Sequence, residues 1–285
     1  MLIGLPGSGK STYAQQLCEK NSKLMYCSSD AIRKQLYGDE SIQTDNNKVF
    51  RILHHRVKNY IQLGFDVIYD ATNVTRKNRK IIIEYCKDIA TVEGHVVWAP
   101  IEDCIKRDND RDRTVGPDVI RKFLYRWQSP NYDEGFDRLY IKYNIDNFSS
   151  ETYIKQCLTD MDIPHDNPHH KLSVLNHCIS VNYYCSAHFK ETILTEAAIY
   201  HDIGKPLTKF FKEQDNVAHY YQHDNVGGYM VYGCCANKPM NEVILISWIV
   251  CNHMQPFFKS NYYNNLSQKY KELLDNLHEA DTTNP

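Results

Sequence analysis

Near its start the chain reads Gly4-Leu5-Pro6-Gly7-Ser8-Gly9-Lys10-Ser11, a run that satisfies G-x-x-x-x-G-K-[ST] and constrains the fold more than any other stretch. It follows an apolar start, Met1-Leu2-Ile3, and leads into Thr12-Tyr13-Ala14, so it is predicted to turn a strand into a helix. Glycines at these spacings let backbone N–H groups face phosphate oxygens. Lys10 puts a point charge beside the β and γ oxygens, and the Ser11 hydroxyl can hold Mg2+. Gly4, Pro6, Gly7, Ser8, Gly9, Lys10, Ser11 and Thr12 are the expected phosphate-binding residues. Only three residues precede Gly4, against about five in an ordinary strand, so a very short first strand or a trimmed chain is expected.

Around this loop, short apolar runs alternate with helical periodicity. Residues 24–27, 65–69, 92–99 and 139–143 read as strands, and 13–20, 48–63, 77–88 and 119–127 as helices. Alternation of this kind predicts an α/β fold, a parallel sheet with helices on both faces. The pattern stops near Phe148, and residues 172–188, 193–200, 225–232, 242–253 and 269–280 then carry helical periodicity. The expected organisation is an α/β domain over 1–148 and an all-α domain over 149–285, with the turn-rich segment 160–170 as the entry loop.

Composition sharpens the division. A chain of 285 residues with 42 % hydrophobic and 24 % charged residues is neither disordered nor a collagen-like fibre. Its longest strongly apolar stretch, 243–251, is far short of the roughly 20 residues that cross a bilayer, and no basic leader opens the chain. No membrane association and a cytoplasmic location are expected. The ten cysteines are scattered without a CxxC pair and read as reduced thiols. Residues 1–150 hold 23 Lys and Arg against 20 Asp and Glu, whereas the rest hold 10 against 15. Every arginine lies at or before Arg138, and ten of the 13 histidines lie after residue 150. Guanidinium groups suit phosphate and neutral imidazoles suit transition metals, so two chemistries are expected.

Ser28-Ser29-Asp30-Ala31-Ile32-Arg33 closes the second predicted strand, and Tyr69-Asp70-Ala71-Thr72-Asn73 the third, both at the sheet edge beside the phosphate loop. Farther on, Lys106-Arg107-Asp108-Asn109-Asp110-Arg111-Asp112-Arg113 spaces Arg107 and Arg111 for one helical face. Taken alone, these residues leave open that Asp30 merely caps the helix carrying Arg33 and that 106–113 is a solvated helix end. With the phosphate loop, they resemble the polynucleotide-kinase branch of P-loop phosphotransferases, which includes the bacteriophage 5′-hydroxyl kinases. The resemblance covers about 1–148, and Glu134-Gly135-Phe136-Asp137 fits it too. It implies ATP and Mg2+ as cofactors, Asp30 as general base and Arg33 as the holder of the acceptor's neighbouring phosphate. It also implies Asp70 near Mg2+, Thr72 or Asn73 on the acceptor side, and Arg111 as the lid arginine with Arg113 as its substitute.

In the second half, His201-Asp202-Ile203-Gly204-Lys205 follows an apolar helical stretch, and His177, His223, His253 and Asp281 lie far from it in sequence. Ligands so dispersed can meet only where several helices pack together. The set resembles the H…HD…D pattern of the HD superfamily of metal-dependent phosphohydrolases, with His177, His201, Asp202 and Asp281 as the core ligands. His223 and His253 match the additional ligands of two-metal members, and nitrogen-rich ligation favours one or two Mn2+, Fe2+, Co2+, Ni2+ or Zn2+ ions. Asn167-Pro168-His169-His170-Lys171 and Asn176-His177 resemble the HD module of bacterial tRNA nucleotidyltransferases, which is associated with 2′,3′-cyclic phosphate hydrolysis. His169, His170, His188, His219 and His278 are read as packed histidines, and Lys205 as a phosphate contact or a helix C-cap. Asp281 lies close to the last residue, which again suggests a trimmed chain.

Together the resemblances imply an end-healing enzyme that phosphorylates a 5′-hydroxyl and clears a 2′,3′-cyclic or terminal phosphate. Its partners would be RNA or DNA ends and a separate RNA ligase. A small-molecule or nucleoside kinase with an HD nucleotidase, and an ATP-switched regulatory module, stay open as alternatives.

Overall fold

The computed structural model describes residues 1–111, 114–168, 171–213 and 216–283. Arg113, His169 and His170 lie outside the described residues. The chain divides into two compact units, one of Met1–Phe123 with Pro130–Ile145, the other of Leu124–Ser129 with the residues from Asp146 on.

The first unit is a five-stranded sheet. Its strands β1 (Leu2–Ile3), β2 (Leu24–Ser28), β3 (Asp66–Asp70), β4 (Glu93–Trp98) and β5 (Arg138–Tyr143) lie in the order β2-β3-β1-β4-β5, and every pairing is parallel. Each boundary of β2 to β5 falls within one residue of the alternation in the sequence. β1 has only two residues, yet it is the central strand, with Leu2 and Ile3 buried between β3 and β4. Helices Lys10–Lys20, Asn46–Gln62, Arg76–Cys86 and Pro117–Tyr125 form as expected, joined by Ser29–Tyr37 and Ile101–Asn109. Arg79 and Glu134, both fully buried, make a two-point ion pair of 2.8 and 2.6 Å, and Arg79 Nη1 also donates to the Asn73 carbonyl at 3.0 Å.

The second unit is helical. Its main helices are Ser150–Met161, Val174–His188, Thr192–Tyr200, His223–Cys234, Met240–Asn252 and Gln268–Thr283. Ser150–Met161 was not signalled by periodicity; the Ser149 side chain caps it by accepting the Thr152 N–H. Met240–Asn252 is apolar on nearly all sides beyond its first turn and is almost wholly buried from Val243 on, as a central helix must be. It crosses His223–Cys234 closely, because Gly228 has no side chain to hold it off Cys251 and Ser247, and Ser247 Oγ donates to the Gly228 carbonyl at 2.7 Å. Trp127, from the inserted segment, is fully buried in this unit, edge-on to Tyr229 and Tyr232 with ring centres 5.1 and 5.9 Å away. A small antiparallel ribbon, β6 (Phe210–Phe211) with β7 (Ala218–His219), precedes His223. Among the described residues, no helix is long and apolar enough to cross a membrane.

Candidate functional site

The parallel register brings the carboxyl ends of β1, β2 and β3 together, with Asp70 opposite both Leu2 and Ser28. Gly7 and Gly9 have φ of 81° and 90°, and a Cβ would lie 2.1 Å from the Cys104 carbonyl oxygen at Gly7 and 1.8 Å from Asn144 Nδ2 at Gly9. Only glycine fits this turn. Gly9 is the N-cap of Lys10–Lys20 and no side chain caps that end, so its N–H groups face the loop as an anion site. Lys10 Nζ donates to the carbonyls of Gly4 and Leu5 at 2.9 and 2.8 Å. Burial pushes the Lys10 ammonium pKa down, the carboxylates of Asp70 and Asp30 oppose this, and Arg111 adds to the lowering. Asp70 accepts from Tyr26 Oη at 2.6 Å and Ser11 Oγ at 3.4 Å. The Ser11 hydroxyl and Asp70 carboxylate form an oxygen donor pair of the kind Mg2+ prefers.

Ser28, rather than Asp30, caps Ser29–Tyr37: its hydroxyl accepts the N–H groups of Asp30 and Ala31. The Asp30 carboxylate is half exposed and accepts from Arg33 Nη1 at 2.7 Å; Arg33 is buried and also donates to Asn46 Oδ1 at 2.9 Å. The helix carrying Arg107 ends at Asn109, so Arg107 and Arg111 do not share a helical face. Arg107 instead donates to the Asn144 carbonyl at 2.6 Å, and Asn144 Nδ2 donates to the Ser8 carbonyl at 2.9 Å, which braces the phosphate loop. Arg111 is exposed. Asn73 does not face an acceptor, because its buried amide donates to the Leu2 carbonyl at 2.8 Å and ties β3 to β1.

In the helical unit, His177, His201, Asp202, His223 and His253 are all buried and converge from four helices or their ends. Asp202 is the hinge of the cluster. Its Oδ2 lies 3.4 Å from His201 Nε2 and 3.7 Å from His177 Nε2, whereas its Oδ1 lies 3.3 Å from His223 Nε2 and 3.9 Å from His253 Nε2. Asp281 Oδ1 completes the first group, 2.9 Å from His177 Nε2 and 3.6 Å from His201 Nε2. In each triad, His177/His201/Asp202 and Asp202/His223/His253, the ligand atoms lie within 4.8 Å of one another.

The rings are aimed by backbone. Nδ1 of His201, His223 and His253 meets the carbonyl three residues back, Ala198, Tyr220 and Val250, at 2.7–2.8 Å. A carbonyl only accepts, so each Nδ1 carries a proton; in the neutral ring, the form that ligates a metal, Nε2 then presents its lone pair. The Nε2 atoms of His223 and His253 face each other at 3.1 Å, with Asp202 beside them, close enough for one cation to reach all three. Burial, with His223 and His201 nearby, lowers the His253 pKa to about 3. Burial alone would raise the Asp202 pKa; the Lys205 ammonium and His201 outweigh it and hold the carboxyl well below its usual range. Lys205 Nζ reaches Asp202 Oδ2 at 2.6 Å and so caps no helix C-terminus.

Sequence reasoning missed His165. Its buried ring lies 3.1 Å from Lys205 Nζ and 4.0 Å from Asp202 Oδ2, with Nδ1 on the Leu172 carbonyl at 2.8 Å. It belongs to the turn-rich 160–170 segment, where nothing in the pattern separates it from other histidines. His188 stacks on Tyr184 at 4.0 Å on an exposed surface, and the half-buried His278 meets the Phe257 ring edge-on at 4.2 Å.

A phosphate loop on a parallel sheet and a buried histidine–aspartate cluster on a helical unit define the class: an enzyme with a P-loop kinase-like domain followed by an HD domain, whose cluster can hold metal. Residues 1–130 match the AAA domain family and residues 174–280 the HD domain family. A comparison with curated proteins finds no match. Among solved structures, a chain of the "Pnkp1/Rnl/Hen1 RNA repair complex" is similar at 21 % identity and a TM-score of 0.41, over 44 % of this chain and 42 % of that one. This chain thus spans less than half of that solved chain.

Proposed function

We propose that the chain heals both ends of broken RNA, as an ATP-dependent 5′-hydroxyl kinase joined to a metal-dependent hydrolase of 2′,3′-cyclic or terminal phosphates. The observation that carries this reading is the presence, in one chain, of a glycine-built phosphate loop beside Asp70 and of a buried carboxylate, Asp202, shared by two groups of imidazoles.

In the kinase half, Lys10 and the loop N–H groups hold the β and γ phosphates of ATP, and Ser11 and Asp70 hold Mg2+. Mg2+ bound there offsets charge on the phosphates. Asp30 takes the proton of the 5′-hydroxyl on its carboxylate, and Arg33 orients that carboxylate while reaching the acceptor's neighbouring phosphate. Arg111 stabilises charge on the transferring phosphoryl group. In the other half, His177, His201, Asp202 and Asp281 hold one cation, and Asp202, His223 and His253 a second. Mn2+, Fe2+, Co2+, Ni2+ or Zn2+ suits this donor set and supplies Lewis acidity toward phosphate and water. Lys205 fixes the Asp202 carboxylate and offers a positive charge to the phosphate. One water opens the cyclic ester to a terminal monophosphate, and a second releases that phosphate as inorganic phosphate; the resulting 5′-phosphate and 3′-hydroxyl are what an RNA ligase consumes.

Mass spectrometry of a short RNA with a 5′-hydroxyl and a 2′,3′-cyclic phosphate, incubated with ATP, Mg2+ and Mn2+, tests the reading. Lys10→Ala should lose the 5′ gain only, and Asp202→Ala the 3′ processing only. If neither end changes with the wild-type protein while ATP binds, the reading is wrong.

A further inference from the structure

The metal cluster is flanked by a surface that the roles above leave unused. Between Lys205 and His223 the chain forms the β6–β7 ribbon, and three large rings there, Phe210, Phe211 and Tyr221, are 39, 52 and 59 % exposed. Single exposed rings are ordinary; grouped ones mark binding surfaces. These are grouped. The Phe210 ring centre lies 5.5 Å from that of His219 and 5.4 Å from that of Tyr221, and the His219 and Tyr221 planes are within 29° of parallel at 5.7 Å. An ammonium group borders this ring group, with Lys212 Nζ 5.7 Å from the Tyr221 centre, while Lys209 Nζ lies 5.9 Å from the separate Phe211 ring. Lys209 is also bonded to Asp166 and the Pro164 carbonyl, which anchors the ribbon to the segment carrying His165.

The same ribbon is fastened to the cluster through one residue. Tyr220 donates its hydroxyl to the His165 carbonyl, accepts the His223 Nδ1–H on its own carbonyl, and lies 5.3 Å beneath Lys205 Nζ. Tyr220 thus supports the metal ligands while its neighbour Tyr221 belongs to the exposed ring group. In sequence, Tyr221 lies one residue from Tyr220 and two from the ligand His223.

We propose that the β6–β7 ribbon is a base-stacking platform for single-stranded RNA, seating the bases next to a 3′-terminal phosphate held at the metal cluster. The inference rests on the phosphohydrolase reading above and names how its substrate is gripped. Aromatic faces accept any base, and ammonium groups beside them meet the phosphodiester backbone, the combination that binds single strands without sequence preference. A base paired in a duplex cannot offer its face, so the platform selects unpaired 3′ ends.

The probe is a short 5′-phosphorylated RNA with a 3′-phosphate and 2-aminopurine near its 3′ end, titrated into the metal-free full-length protein so that neither end reacts. Anisotropy gives the affinity and 2-aminopurine quenching reports stacking. Phe210→Ala combined with Tyr221→Ala should lose the quenching and weaken binding about 5- to 150-fold, the range for losing one base–aromatic stack. Phe210→Tyr combined with Tyr221→Phe keeps the rings and should bind as the wild type does. Unchanged affinity and quenching in the alanine variant would overturn the proposal and leave the ribbon to a protein partner; so would a wild type that neither binds nor quenches. Mn2+-dependent hydrolysis of a nucleoside 2′,3′-cyclic phosphate is measured in parallel. Its absence alongside intact quenching would count against the phosphohydrolase reading and not against the platform.

Discussion

Replacing Arg79 by methionine should nearly unfold the sheet unit while leaving the helical unit intact. Arg79 and Glu134 are both fully buried, and Glu134 Oε1 also accepts the Asn131 N–H at 3.2 Å. In Arg79→Met the Glu134 carboxylate keeps that single backbone donor and loses the two guanidinium donors at 2.8 and 2.6 Å. Removing one partner of a buried pair costs about 3–5 kcal/mol. The Asn73 carbonyl loses its Nη1 donor as well, which adds about 1–3 kcal/mol. The sum is a large part of the roughly 5–15 kcal/mol that holds an ordinary domain. Because the Asn73 amide is bonded to the Leu2 carbonyl, the damage passes to the strand end that carries Asp70. Hydrogen–deuterium exchange of the full-length protein in rising urea resolves the two units: peptides covering β3 and β4 report the sheet, and those covering Met240–Asn252 serve as the internal reference. The sheet peptides should lose about 4–8 kcal/mol of opening free energy, and the reference peptides should not move. Arg79→Met with Glu134→Leu should recover most of the loss, since no charge is left unpaired. A fall of less than about 1 kcal/mol in the single variant would refute the assignment of a dry, mutually dependent pair.

Two further outcomes are expected. A Cβ at Gly204 would lie 2.1 Å from the His223 carbonyl oxygen, so Gly204→Ala must shift the backbone that aims this ligand. Mn2+ affinity by calorimetry should fall about 10- to 100-fold, and an unchanged value would show that the helix start can move freely. Burial raises the thiol pKa of Cys27 to about 11 and of Cys235 to about 12, against 9.0 in an open chain. Raised folded pKa values mean that the native state keeps protons which the unfolded chain releases. The stabilisation is therefore complete below pH 9 and is lost as pH rises toward 11, by about 1.4 kcal/mol per pH unit for each thiol. Urea melts at pH 8 and 10 should show this loss, and at pH 8 a disulfide reagent should label only the partly exposed Cys18 quickly. Fast labelling of several thiols would contradict the burial.

Period and punctuation in the sequence located β2 to β5, because each is a short run rich in apolar and aromatic residues set between stretches of helical periodicity. They could not locate Ser150–Met161, whose start depends on one serine cap rather than on a strong apolar stripe. The phosphate loop was legible because its glycines answer a local backbone requirement, and the histidine cluster because an adjacent His-Asp pair is rare. What stayed hidden depends on where a chain turns in space. Arg107 and Arg111 are four apart, yet the helix stops between them. His165 resembles any loop histidine until the fold buries it against Lys205, and Asn73 resembles a polar site residue until its amide meets the Leu2 carbonyl.

The burial of Trp127 among Tyr229 and Tyr232 bears on how the two units can be separated, in the laboratory or by recombination. A gene cut once after the last sheet strand yields a helical fragment with a hole the size of an indole at its centre, since Leu124–Ser129 stays with the other piece. The excised sheet unit, in turn, carries an apolar tryptophan with no core to enter. Dissection by a single junction therefore damages both products.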